Sequence, residues 1–184
     1  EVQALCDRVA VLEAGRVREL GPAREVLRRA TLGLAGFETV VEGTVRAVLE
    51  GTAEVDVGGG LAFRVPAPGA RAGDALLFAL GADDVLLSTE RVERVSARNV
   101  LPARVEAVHA AEGAARVELR LGADGTGPWV SAALTPAAVR ELELAPGVRA
   151  HLIVKAQSCR VLSATAASER QAAASRGGVN SITT

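Results

Sequence analysis

Two stretches of the sequence recur later in the chain in the same order, and this internal repeat constrains the fold more than any other feature. Residues 39–48 match residues 99–108 at an offset of 60, and residues 77–88 match residues 152–163 at an offset of 75. A tandem repeat of this length predicts two structural units of similar fold.

Each copy is a series of short, β-branched segments separated by turn residues. Runs of this kind are typical of strands, and the cluster Gly58-Gly59-Gly60 is typical of a hairpin turn rather than a phosphate loop, because no helix follows it. Five strands per copy can close into a small barrel that leaves no sheet edge exposed. We therefore predict a mainly β fold of two OB-like, five-stranded Greek-key barrels. The strands expected in the first copy are 39–49, 52–57, 61–65, 75–80 and 85–88.

The second copy is longer than the first by 15 residues, the difference between the two offsets. We assign the additional residues to a longer turn over Gly122–Gly127 and to a short helix over Pro136–Leu142. Trp129, which follows Pro128, is expected at the rim of this barrel, partly in its core.

The pattern changes at both ends of the repeat and so suggests domain boundaries. Residues 1–36 are typical of a helix end, a hairpin and a second helix, with too few apolar residues for a core of their own. We interpret them as a small α/β remnant of another domain, followed by barrels over 37–95 and 96–163. Residues 164–184 lack periodicity and are expected to be a disordered tail. Because the chain contains no methionine and begins in mid-pattern at Glu1, we expect it to be a piece of a longer protein.

Composition excludes several classes of function. Hydrophobic residues make up 49% and charged residues 23% of the chain, which is typical of a folded globular protein. A net charge of -1 and only 2% aromatic residues argue against a nucleic-acid partner. No apolar run reaches the roughly 18 residues of a membrane helix, and Cys6 and Cys159 lack the spacing of a disulfide framework or a zinc site. We expect a protein of a reducing cytoplasm, without a metal.

Lys155 is the single lysine in a chain that otherwise uses arginine. A lysine ammonium is compact and has three donors, so it suits a small tetrahedral anion. The next residues, Ala156, Gln157 and Ser158, add backbone N–H groups and a hydroxyl at the end of a predicted strand. The alternative is an ordinary solvated lysine at a strand end.

A second group of anion donors stands at the start of the second copy. Ser96, Ala97, Arg98 and Asn99 supply a hydroxyl, a guanidinium, an amide and consecutive backbone N–H groups. The alternative is a polar linker between the barrels.

The first copy has no cation at the matching positions. Gly36, Phe37, Glu38 and Thr39 stand where the second copy has Ser96 to Asn99, and Leu80 matches Lys155. Asp83 and Asp84 occupy the equivalent loop, where two carboxylates would repel an anion. The sequence therefore predicts an anion site in the second barrel only.

Other polar residues are weaker candidates. His109 and His151 lie on predicted strands without spaced acidic or cysteine partners, so we interpret them as strand-surface histidines. Arg24, Arg28 and Arg29 recur at helical spacing and are expected on a solvated helix face. No set of nucleophile, base and orienting residue is visible.

The two ends of the chain resemble two known modules. Residues 1–17, with Gly21, resemble the stretch that follows the switch histidine of ABC-transporter ATPases. The Ser96–Leu101 stretch is similar to the molybdate-binding Mop domain. Further similarity to that domain extends over Val130–Thr135, Leu142–Leu144 and Lys155-Ala156. In this order the modules resemble the C-terminal part of the ATP-binding subunits of molybdate ABC importers: the end of an ATPase domain and a TOBE/Mop regulatory domain.

The resemblance implies a ligand and partners. Molybdate or tungstate would bind at Ser96, Ala97, Arg98, Asn99, Lys155 and Ala156, with Gln157 and Ser158 as further candidates, in a site completed between two copies. It also implies a homodimer through the barrels, a membrane permease as partner, and a cytoplasmic location at the inner face of the membrane. ATP and Mg²⁺ would bind only in the missing ATPase part, because this chain has neither phosphate loop nor Mg²⁺-holding strand and should not hydrolyse ATP alone.

One departure from the family leaves alternatives open. Ala138 stands where the family often has a serine, three positions after Thr135. A decayed site would leave a structural module that dimerises the ATPase subunits. A third possibility is the same module in an importer of sulfate, polyamine or sugar.

Overall fold

The computed structural model describes residues 6–13, 15–22, 26, 38–111 and 113–167. These residues are mostly in antiparallel strands, which confirms the mainly β prediction. The strands are β1 (Arg8–Glu13), β2 (Arg16–Pro22), β3 (Glu38–Leu49), β4 (Thr52–Gly58), β5 (Leu61–Pro66), β6 (Ala75–Gly81), β7 (Leu86–Ser88), β8 (Asn99–Ala111), β9 (Ala114–Leu121), β10 (Trp129–Leu134), β11 (Arg149–Val154) and β12 (Cys159–Thr165). The helix α1 covers Pro136–Glu141, and 3-10 turns cover Ala82–Asp84 and Ala156–Ser158.

Ten of these strands form two five-stranded, curled sheets, and each sheet contains one strand from the other repeat. The first sheet has the order β12-β6-β3-β4-β5, and the second has the order β10-β9-β8-β11-β7. The last strand of each repeat thus crosses to the partner sheet: β7 pairs with β11, and β12 pairs with β6. We call this arrangement the strand exchange.

The exchange relates the two repeats by an internal two-fold symmetry of pairing. Leu86 of the first repeat pairs with Ile153 of the second, and Arg160 of the second pairs with Ala79 of the first. Leu86 and Arg160 are 74 positions apart, and so are Ala79 and Ile153. The two pairs are therefore equivalent. The two 3-10 turns are also 74 positions apart.

The offset of 75 that the sequence suggested for the later part of the repeat is therefore wrong by one residue. The counterpart of Lys155 is Gly81, not Leu80, because Lys155 and Gly81 each cap their 3-10 turn. Adjacent strand positions here are almost all apolar, so a slip of one residue keeps the similarity while it exchanges the two faces of the strand. The offset of 60 at the start of the repeat agrees with the equivalent bulges in β3 and β8.

A single hydrophobic core extends across both sheets. In β5, Leu61, Phe63 and Val65 are buried while the residues between them are not, which is the alternation expected of a strand with one face on the core. Phe63 packs against Phe78 of β6 with ring centroids 5.3 Å apart and an interplanar angle of 57°, a tilted arrangement that aromatic pairs favour.

The predicted turns and short helix are present. Gly58, Gly59 and Gly60 all have positive φ, as the tight connection from β4 to β5 requires. The helix α1 ends one residue before the predicted boundary. Its N-terminus is capped by Thr135, whose hydroxyl oxygen accepts a hydrogen bond from the backbone N–H of Ala138 at 3.2 Å.

The ends of the chain are described in part. The predicted hairpin near the N-terminus is the antiparallel pair β1–β2. The helix expected after Pro22 would contain Arg24, Arg28 and Arg29. Apart from Val26, its residues lie outside the described part of the chain, and so does Phe37. Strand β12 continues to Thr165, two residues into the predicted tail, and residues 168–184 are outside the described part. Among the described residues, no helix has the length and apolar character needed to cross a membrane.

Candidate anion site

Strand pairing brings the two predicted groups of anion donors together. Asn99, the first residue of β8, pairs with Val154, the last residue of β11. Arg98 precedes Asn99 and Lys155 follows Val154, so both residues directly adjoin this end of the strand pair. Both side chains are exposed. The result is a cationic pair, Arg98 and Lys155, at one end of the second sheet.

Lys155 begins the 3-10 turn that contains the other predicted residues. The backbone N–H of Ser158 donates to the carbonyl of Lys155 at 3.1 Å, which closes the turn. Ala156 is buried, with 4% of its surface exposed, and Gln157 is exposed. Ala156 therefore anchors the turn to the core, while Lys155 and Gln157 face solvent.

Ser96 and Ala97 lie in the irregular segment before β8. Ser96 is exposed and Ala97 is half-buried. This segment continues directly into Arg98, so Ser96 is two residues from the cationic pair in sequence.

Asn99 is engaged inside the protein. It is 1% exposed, and its Oδ1 accepts from the backbone N–H of Arg64 at 2.7 Å while its Nδ2 donates to the carbonyl of Arg64 at 3.0 Å. Nδ2 also lies 3.6 Å from Sγ of Cys159. We assign the side chain of Asn99 a positioning role: it joins the start of β8 to β5 of the other sheet.

The equivalent residue of the first repeat makes the equivalent contact. Thr39 Oγ1 accepts a hydrogen bond from the backbone N–H of Ser131, on β10, at 3.2 Å. Each repeat therefore attaches its first long strand to the partner sheet through one polar side chain.

The two 3-10 turns meet through their last residues. The hydroxyl of Ser158 donates to Oδ1 of Asp84 at 3.1 Å. Asp84 and Ser158 are equivalent residues of the two repeats, so this contact lies on the internal two-fold axis of the strand exchange.

The first-repeat counterpart of the cationic pair is an acidic pocket. It has a volume of about 720 Å³ and is lined by residues of both repeats, including Glu38, Gly81, Asp84 and Arg160. Glu38 stands where the second repeat has Arg98, and it binds the Arg160 guanidinium through contacts of 2.6 and 2.8 Å. The sequence did not indicate Arg160, because the strand exchange brings it from the other repeat.

Cys159 lies directly behind the turn and is buried. Burial, together with the negative charge of Asp84, raises the pKa of the Cys159 thiol to about 12. The thiol is therefore protonated at neutral pH and behaves as a small apolar group.

Both histidines lie on strands, and one of them has an acidic neighbour. His109 has an acidic neighbour: its Nε2 lies 3.3 Å from Oε1 of Glu118, which also binds Arg116 Nη2 at 2.8 Å. His109 lies on a strand, as predicted, and the pairing of β8 with β9 supplies an acidic neighbour that sequence spacing does not show. His151 lies on β11, as predicted.

A further polar contact lies at the edge of the second sheet. The guanidinium of Arg120 lies 4.2 Å from the ring centroid of the half-buried Trp129, a cation–π contact at the edge of the sheet. Across the described ranges, no three His, Cys, Asp or Glu side chains are grouped so that they could hold a metal ion.

Fold and site together define a class: a double OB-like barrel that exchanges strands between its halves and presents a cationic loop on one of them. Residues 95–161 match the family model of the TOBE domain. This part of the chain is therefore a TOBE domain, and curated proteins similar to the chain include molybdenum import ATP-binding proteins.

Two of these curated relatives have similar degrees of identity to this chain. The molybdenum import ATP-binding protein ModC of Rhizobium meliloti is 34% identical over 84% of this chain and 44% of its own length. ModC 1 of Azotobacter vinelandii is 35% identical over 85% of this chain and 44% of its own length. The chain thus spans less than half the length of the curated relatives it matches.

A solved structure shares the fold. The cytoplasmic molybdate-binding protein ModG, in a form with molybdate bound, is 31% identical and superposes with a TM-score of 0.58. The match covers 67% of this chain and 94% of ModG.

Proposed function

We propose that this chain is the regulatory, oxyanion-binding region of a molybdate import ATPase, and that it binds molybdate or tungstate. The observation that carries the proposal is the cationic pair, Arg98 and Lys155, which the second repeat has and the first lacks. The names of the ModC relatives and the molybdate bound to ModG support this ligand.

The chemistry of the pair suits a tetrahedral dianion. The planar guanidinium of Arg98 can donate two parallel hydrogen bonds, and the Lys155 ammonium adds a compact positive charge. Ser96 and the backbone of the 3-10 turn can supply further donors. Both cationic side chains are exposed, so a second copy of the chain would be needed to exclude water from the bound anion. We therefore propose a homodimer through the barrels, with the anion at its interface.

The proposed mechanism is a feedback switch. When cytoplasmic molybdate is plentiful, its binding energy selects a dimer state in which the ATPase halves cannot close, and import slows. In the parent protein, ATP and Mg²⁺ would bind in the ATPase part, and a membrane permease would hold the subunit at the inner face of the membrane.

The test is calorimetric titration of the chain with sodium molybdate, with sulfate and phosphate as competitors. Lys155→Ala should weaken molybdate binding at least about tenfold, the usual effect of losing a charge-assisted contact. Arg140→Ala is the matched control, because Arg140 is exposed on α1 and should leave the affinity within about twofold. Unchanged affinity in Lys155→Ala would remove the site assignment.

A second candidate function is a structural module that dimerises the ATPase subunits without a ligand. It is favoured by Ala138, which lacks the hydroxyl expected there and uses its backbone N–H to cap α1. An intact dimer that takes up none of the three anions would support this candidate. Tighter binding of sulfate than molybdate would instead favour a related importer with another cargo.

A further inference from the structure

The first repeat delivers a carboxylate to the anion-binding turn of the second repeat. Ser158 is the last residue of the turn that Lys155 begins, and its hydroxyl donates to Oδ1 of Asp84 at 3.1 Å. Asp84 is the last residue of the equivalent turn in the first repeat. The strand exchange fixes this contact, because each turn leads directly into a strand of the opposite sheet.

The contact occupies the only proton of the Ser158 hydroxyl. A serine hydroxyl has one O–H donor, and an oxyanion such as molybdate accepts hydrogen bonds but donates none. While Ser158 donates to Asp84, its hydroxyl contributes no hydrogen bond to an anion held by Lys155.

The negative charge of Asp84 would also oppose the binding of an anion near Ser158. An anion oxygen within hydrogen-bond distance of Ser158 would lie within about 6 Å of the Asp84 carboxylate. Like charges at this separation repel each other, most strongly where water is excluded. The nearby Arg160 guanidinium is bound by Glu38 at 2.6 Å, so its charge is already balanced by a carboxylate.

We propose that Asp84 is an affinity-determining residue that weakens oxyanion binding at the turn Lys155–Ser158. It does so through its charge and by holding the Ser158 hydroxyl. This inference rests on the proposed function and deepens it: the first repeat, which lacks a cationic pair, sets the concentration range in which the second repeat responds.

The test compares molybdate binding by the whole chain and three variants, by calorimetry at one ionic strength. Asp84→Asn removes the charge and keeps an acceptor for Ser158, so affinity should rise roughly tenfold, equivalent to about 1.4 kcal/mol. Asp84→Ala also frees the hydroxyl and should bind at least as tightly as Asp84→Asn. Glu141→Gln is the control: it removes one negative charge from an exposed residue of α1 and should change affinity less than about twofold.

A double-mutant cycle separates the two effects of Asp84. Ser158→Ala should cost at least about fivefold more affinity in the Asp84→Ala background than in the unmodified chain, because only there is the hydroxyl available to the anion. An equal cost in both backgrounds would show that Asp84 does not hold the hydroxyl.

Two outcomes would overturn the inference in different ways. If the unmodified chain binds molybdate and Asp84→Asn binds it equally well, Asp84 has no such role and the proposed function stands. If neither the unmodified chain nor any Asp84 variant binds molybdate, both this inference and the proposed function fail.

Discussion

The carboxamide of Asn99 hydrogen bonds to both backbone polar groups of Arg64, a residue on the other sheet and 35 positions earlier in the chain. Asn99 is nearly inaccessible to solvent, so its carboxamide depends on these partners for its hydrogen bonds. The residue that adjoins the cationic pair is therefore fixed to the first repeat, and the geometry of the candidate site depends on both halves of the molecule.

Replacing Asn99 with alanine should lower the free energy of unfolding by about 2 to 4 kcal/mol. The substitution removes both part-buried bonds and leaves the amide and carbonyl of Arg64 without this partner. Urea denaturation followed by circular dichroism measures the change. Gln157→Ala, at an exposed position of the adjacent turn, is the control and should stay within about 0.5 kcal/mol. Equal stability of the two variants would contradict the positioning role of Asn99.

Gly43→Ala should destabilise the first sheet by about 3 kcal/mol or more. A Cβ at this position of β3 would collide with the backbone carbonyl oxygen of Asp56 and lie 2.6 Å from Cγ1 of Val55. Backbone in the middle of a paired strand cannot move aside without breaking ladder hydrogen bonds. Thermal unfolding compares this variant with Thr44→Ala, at the adjacent exposed position, which should have a melting temperature near that of the unmodified chain.

The buried thiol of Cys159 should make stability fall at alkaline pH. Its pKa is raised to about 12 in the folded chain, above the ordinary value of 9.0, so folding disfavours the thiolate. The stabilisation is complete below pH 9.0 and is lost as the pH rises toward about 12, with a slope of up to about 1.4 kcal/mol per pH unit for one proton.

Urea midpoints between pH 8 and about 10.5 test this, with Cys159→Ala as the reference. The variant should show a shallower decline with pH, whatever its stability at pH 8. Parallel declines would exclude the thiol as the titrating group.

Cutting the connection between β7 and β8 should not separate the two halves. An engineered protease site between Glu90 and Arg91 would leave β7 paired with β11 and β12 paired with β6, because each fragment keeps one exchanged strand. The cut chain should elute at the intact position in sizing chromatography and separate only in denaturant. Two smaller peaks in native buffer would mean that the exchanged pairs do not hold the halves together.

Much of the architecture could be predicted because it depends on local pattern. The alternating burial in β5 and the glycine turn after β4 are each determined by residues close in sequence. The repeat is visible by comparing the sequence with itself. The helix α1 was predictable for the same reason, since Thr135 and Pro136 together form a strong start signal.

The strand exchange was not predictable from local pattern. A three-residue 3-10 turn links β6 to β7, and nothing in its sequence determines which sheet receives the next strand. The same limit applies to the site. Arg98 and Lys155 could be found by residue type, whereas the engagement of Asn99 by Arg64 and of Ser158 by Asp84 depends on contacts between repeats.

Because the two repeats that exchange strands belong to one chain, every molecule contains one copy of each repeat. Two separate single-repeat chains could swap strands in the same way, but a symmetric dimer of identical chains would carry two identical sites. Joining the repeats in one chain keeps the halves together at any dilution, since each strand meets its partner at a high effective concentration. Every copy therefore carries one position with Arg98 and one with Glu38, a fixed one-to-one asymmetry that no assembly of identical repeats could maintain.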